Sequence, residues 1–142
     1  MKAERIFADT NLFLRYLTND VPEQADAVEF LLLRAMKGEM TLITNNMVIA
    51  EIVWTLEFFY HLTPIEVQEK VLAILNTPGL EVADGDLILQ AMLWHVEKSV
   101  DFIDAYNAVW MMEEEIKTVF TFDMKHFIRF EGITATLPSR ER

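Results

Sequence analysis

The chain has 142 residues, the length of one domain, and 52% of them are apolar, enough to bury a core without covalent staples. It contains no cysteine, which excludes disulfides and thiolate metal sites and suits a reducing cytoplasm. A net charge of −11 disfavours a generic basic groove for nucleic acid, although that objection weakens if several carboxylates hold divalent cations.

Ile6-Phe7-Ala8 is a short apolar run ending at Asp9 and reads as a buried first strand. Thr10 and Asn11 read as a turn and cap before a helix over Leu12–Leu17. Pro22 opens a second helix, whose apolar positions Ala25, Val28, Leu32, Ala35 and Met36 carry it to about Lys37, where Gly38 ends it. Thr41–Thr44 reads as a second strand, and Asn45 or Asn46 caps a long helix to about His61. Pro64 starts a helix that stops before Pro78-Gly79, and Leu80–Val82 is a third strand. Asp84 or Asp86 starts a helix with Ile88, Ala91, Met92 and His95 on one side, and another helix follows over Asp101–Glu115. Thr118–Phe122 is a β-rich run ending at Asp123, Ile133–Thr136 is the last strand, and the tail from Pro138 reads as loose.

Short apolar strands alternating with helices predict an α/β fold with a parallel sheet covered on both faces, in a single domain over 1–142. No basic start followed by an apolar stretch marks a signal peptide, and the apolar runs are too short to span a bilayer, so a cytoplasmic protein is expected.

Several carboxylates stand out against this background. In open parallel sheets ligands bind beyond the carboxyl ends of the strands, which is where Asp9 and Asp123 both fall. Glu51 lies in Met47-Val48-Ile49-Ala50-Glu51-Ile52-Val53-Trp54, a helix apolar on nearly every side and therefore expected to be buried. A buried carboxylate needs a cation or a full set of donors, and no Lys or Arg lies between Glu39 and Glu69. Asp101 and Asp104 share one face at a helix start, where capping accounts better for Asp101 than for Asp104. Acids from separate elements make an all-oxygen cage of the kind that Mg²⁺ or Mn²⁺ prefers. His61, His95 and His126 show no metal-ligand spacing, which argues against zinc; His126 lies near Asp123 as a possible substrate contact.

At these residues the chain resembles the PIN-domain nucleases. Ile6-Phe7-Ala8-Asp9-Thr10-Asn11 is similar to their first motif, Val48-Ile49-Ala50-Glu51 to their second, Asp101-Phe102-Ile103-Asp104-Ala105 to their third, and Thr121-Phe122-Asp123-Met124-Lys125-His126-Phe127 to their fourth. The motifs run in the family's order over most of the chain, and the short form most resembles the VapC-type toxins of type II toxin–antitoxin pairs. The resemblance implies a three-layer α/β/α sandwich with a central parallel sheet, a Mg²⁺- or Mn²⁺-dependent endoribonuclease, a homodimer, and inhibition by a small antitoxin protein.

On that reading Asp9, Glu51, Asp104 and Asp123 form the catalytic metal set, with Asp101 as an additional ligand. Thr10, Asn11 and Thr121 orient ligands or a water, with helix capping and turn formation as their ordinary roles. Arg15, Lys125 and Arg129 are the candidate phosphate contacts. The competing reading is a non-catalytic protein-interaction module of the same fold, using aromatics such as Phe58, Phe59 and Tyr60.

Overall fold

The computed structural model describes residues 4–139, so the last three residues of the tail lie outside it. The chain forms two compact units, one up to Gly85 and one from Asp86 onward.

The first unit runs β1 (Arg5–Phe7), α1 (Thr10–Thr18), α2 (Pro22–Met36), β2 (Thr41–Thr44), α3 (Asn46–Phe58), α4 (Pro64–Leu75) and β3 (Leu80–Val82). The strands hydrogen-bond in the order β1-β2-β3, all parallel, with Ile6 opposite Leu42 and Leu42 opposite Leu80. Parallel pairing requires the chain to return between strands, and here each return is a pair of helices flanking the sheet. The helix starts follow from capping chemistry. The Asn45 side chain accepts from the Val48 N–H at 3.1 Å, and Thr63 with Glu66 closes a reciprocal capping box ahead of Pro64. Val67, Val71 and Ile74 then recur at helical spacing and are all buried. With Leu42, Ile49, Ile52 and Leu56 they supply the apolar interior of this unit.

α5 (Gly85–Glu97) crosses into the second unit, which continues with α6 (Phe102–Glu113), β4 (Thr118–Phe120), α7 (Met124–Phe127) and β5 (Thr134–Thr136). β4 and β5 pair in parallel, Val119 opposite Ala135. Ile88, Ala91, Met92 and His95 are buried on one side of α5, as their spacing predicts. The chain is mixed α/β with parallel strands flanked by helices, the class that the alternation of elements predicts.

Three local expectations are corrected. β1 is not buried: Arg5, Ile6 and Phe7 are exposed, Phe7 by 56%, because pairing with β2 covers the backbone of β1 along one side and not the side chains that alternate between its two faces. The helix carrying Glu51 ends at Phe58 rather than near His61, whose φ of 58° is left-handed. Glu51 itself is exposed. Its helix is not apolar to the core on every side: Ile49, Ile52, Val53 and Leu56 face inward, while Met47, Glu51, Trp54 and Phe58 form an exposed stripe at spacings of four and three. Desolvation therefore places no demand for a cation on Glu51.

Candidate metal centre

Among the described residues, the one close group of candidate ligands lies in the second unit, where three elements deliver it. α5 ends at Glu97, and the turn that follows places Ser99 in a left-handed conformation (φ 53°). Two contacts clamp this turn. Arg129 Nη1 donates to the carbonyls of Lys98 and Ser99 at 2.8 and 2.7 Å, and His95 Nδ1 lies against the Val100 carbonyl. Trp94 packs on Phe130 with ring centroids 5.3 Å apart, and Phe130 also meets Phe127, tying α5 to the end of α7. The chain emerges at Asp101, directly before α6.

Asp101 occupies the cap position of α6, but its side chain makes no capping hydrogen bond, which corrects the expectation that capping explains it. Asp104 lies one turn on. His126, on α7, closes the group: its Nδ1 is 2.8 Å from Asp104 Oδ2 and 3.6 Å from Asp101 Oδ2. Ligand atoms of Asp101, Asp104 and His126 all lie within 4.8 Å of one another. The Asp104 and His126 side chains are 18% and 12% exposed, so both are held in a partly desolvated wall, whereas Asp101 is 71% exposed. Two carboxylates and one imidazole with ligand atoms this close together could hold a divalent cation. Adjacent ligands of a six-coordinate ion with bonds near 2.1 Å stand about 3 Å apart, close to the 2.8 and 3.6 Å separations seen here. The residues present therefore fit a divalent ion.

His126 is the participant that reasoning from sequence underweights. Its partner is 22 residues away, and its only local signal is that it falls three residues after Asp123, on the same helical turn. Asp123 follows the carboxyl end of β4, is exposed, and is not part of the three-residue group. Its backbone N–H donates to Thr121 Oγ1 at 2.9 Å, so Thr121 shapes the turn in front of α7. Lys125 is exposed beside it.

In the first unit Asp9 follows the carboxyl end of β1 and caps α1, its Oδ1 accepting from the Thr10 N–H at 2.7 Å. Thr10 is buried and Asn11 exposed. Thr44, a buried residue that the sequence does not single out, donates its hydroxyl to the Ala8 carbonyl at 3.0 Å and so fixes the peptide leading into Asp9. Arg15 is engaged by its neighbours: Nε donates to Gln24 at 2.9 Å, and the guanidinium pairs with Asp20 at 3.4 Å. The Tyr60 hydroxyl, donating to Asp20 at 2.7 Å, holds that carboxyl below its usual range, aided by the Thr18 hydroxyl and Arg15.

Residues 6–133 match the PIN domain family, and the chain belongs to it. No curated protein matches the chain. Among the described residues no helix is long and apolar enough to cross a membrane.

Proposed function

We propose that the protein is a divalent-metal-dependent endoribonuclease acting as one nuclease domain, and that it is the toxin of a type II toxin–antitoxin pair of the VapC type. The observation that carries the enzymatic part is the Asp101–Asp104–His126 group in a chain of the PIN domain family, whose members the sequence motifs liken to RNA-cleaving enzymes. The motif order from Asp9 to Asp123 in a short chain supports the toxin assignment, with a homodimer, a small antitoxin protein and a cytoplasmic setting as its corollaries.

In this reading Asp104 and Asp101 hold Mg²⁺ or Mn²⁺, and Asp9, Glu51 and Asp123 contribute further carboxylates. A bound divalent ion supplies Lewis acidity to a water and to a phosphate oxygen of the scissile bond. The protein's own groups do the rest. Asp104 is fixed by His126 and so presents its carboxylate in one orientation. Exposed Asp101 keeps the centre open on one side to a large polyanion. Exposed Lys125, next to His126, is placed to contact phosphate, whereas Arg15 and Arg129 have first to release the partners described above.

The test is RNA cleavage in Mg²⁺ or Mn²⁺ by the wild type and by Asp9→Asn and Asp104→Asn. Both variants are expected to stay folded and lose cleavage, and full activity in either rejects its assignment. The toxin role predicts growth arrest when the wild-type chain is expressed and normal growth with Asp104→Asn. The exposed stripe of Met47, Trp54 and Phe58 on α3 favours a second reading, a non-catalytic interaction module, which predicts neither metal uptake nor cleavage.

A further inference from the structure

Resting on the reading that the chain cuts RNA with Glu51 in its metal set, we infer that Trp54 and Phe58 on α3 form a stacking platform for the bases of single-stranded RNA beside the cut. Met47, Glu51, Trp54 and Phe58 follow one another at spacings of four, three and four residues, so they share one face of α3. All four are exposed, Trp54 by 61% and Phe58 by 63%. The two rings stack on each other, with centroids 5.6 Å apart and planes inclined by 30°. Glu51 therefore has an exposed aromatic pair beside it on its own helix. At the ordinary helical rise, Trp54 lies about 4.5 Å and Phe58 about 10.5 Å further along the axis. A base held there belongs to a nucleotide next to, or one removed from, the phosphate cut at an ion on Glu51.

The charge of this unit explains a grip on bases rather than on phosphates. Residues 1–85 carry thirteen Asp and Glu against six Lys and Arg. Arg15 and Arg34, two of those cations, are already paired with Asp20 and Glu39. A polyanion gains little from such a surface apart from the divalent ions it shares with the carboxylates. Aromatic rings supply affinity that needs no cation, because every base has a π face and stacks whatever the sequence.

The same face suits a protein partner poorly. A protein closing over the stripe desolvates Glu51, and no Lys or Arg lies between Glu39 and Glu69 to pair with it. A second copy that meets α3 with α3 adds another Glu51 and Glu57 and no cation. The two rings together expose on the order of 300 Å², well short of the roughly 800 Å² per partner that a stable protein interface buries. An RNA strand covers the rings and leaves Glu51 its ion.

The test compares two probes of equal length, a short oligoadenylate and the same ribose-phosphate chain without bases. Binding is followed by fluorescence anisotropy in Mn²⁺ on the full chain carrying Asp104→Asn, so that the RNA stays intact. Added to that chain, Trp54→Ala and Phe58→Ala, checked for folding by circular dichroism, should each weaken oligoadenylate at least about fivefold. Trp54→Phe, which keeps a ring, should weaken it less than about twofold, and none of the three should change binding of the base-free chain by more than about twofold. Sedimentation should show the same oligomeric state for all of them. Equal binding of oligoadenylate by the alanine variants, or an equal loss with both probes, overturns the platform. Dissociation of a dimer by Trp54→Ala also overturns it, because the face then belongs to a second copy. No binding of oligoadenylate overturns it as well. Cleavage by the chain with Asp104 intact, measured alongside, decides separately whether the nuclease reading falls with the platform or stands without it.

Discussion

Gly79 gives the sharpest test of how the first unit is packed. It enters β3 with φ +82°, and a Cβ there would run into the carbonyl oxygen of Ala35, standing 2.5 Å from the Ala35 carbonyl carbon and 3.0 Å from the Met36 nitrogen. These are backbone atoms at the end of α2 and cannot swing away. Gly38 has nearly the same conformation, φ +83°, but open space around it. Alanine at either position adds the left-handed penalty of about 1–2 kcal/mol. Only at Gly79 must α2 and the β3 entry also move apart, which adds about 1–3 kcal/mol. The gain from a stiffer unfolded chain is shared by both and cancels in the comparison. Gly79→Ala should therefore be less stable than Gly38→Ala by about 1–3 kcal/mol in urea unfolding, or roughly 3–10 °C in midpoint for a chain of this size. Equal stability of the two variants would refute the close approach of α2 to β3. It would also refute the register that aligns β3 with β2 and, through β2, with the strand ending before Asp9.

Three further outcomes follow. Glu51 is exposed, so Glu51→Gln should change stability by no more than about 0.5 kcal/mol while lowering RNA cleavage at least tenfold; retained cleavage removes Glu51 from the metal set. The Asp20 and Glu66 carboxyls are held below their usual range, Asp20 first by the Tyr60 hydroxyl and Glu66 first by the Thr63 N–H. Their folded pKa values lie under the unfolded ones, so their stabilisation is complete above the ordinary carboxylate range and fades as pH falls through it. Acid titrations of the wild type and Tyr60→Phe should show a stability gap that narrows in that range, and a gap that persists at low pH contradicts the assignment. Arg129→Ala frees the carbonyls of Lys98 and Ser99 and should cost about 1 kcal/mol by thermal unfolding, with weaker Mn²⁺ binding because the turn delivering Asp101 loosens; unchanged stability and affinity would refute the clamp.

Much of the fold was legible because its signals are local. Pro22 and Pro64 at helix starts, the Asn45 cap, and the periodic apolar positions of α4 and α5 each act within a few residues, and the corresponding elements form where those signals stand. The failures came where a neighbour distant in sequence decides the outcome. Ile6 and Phe7 look like core residues, but their exposure depends on what packs against the two faces of β1, which their own types do not specify. The apolar run around Glu51 exceeds what one buried face of α3 requires, and composition does not say that the surplus, Met47 and Trp54, flanks Glu51 on the outside. Within the site, Asp101 and Asp104 were visible as a helix-spaced pair, whereas His126 meets Asp104 only through the tertiary path of α7 and its clamp on the turn after α5.

If the carboxylates of this PIN-domain chain hold a divalent ion that cuts RNA, as proposed, removing that ion must stop the cut. Purified wild-type protein, incubated with an end-labelled single-stranded RNA, should cut it internally, stop on addition of EDTA, and resume when excess Mn²⁺ or Mg²⁺ is restored. Internal cleavage that continues undiminished in EDTA, or no cleavage with any divalent ion supplied, would contradict the account.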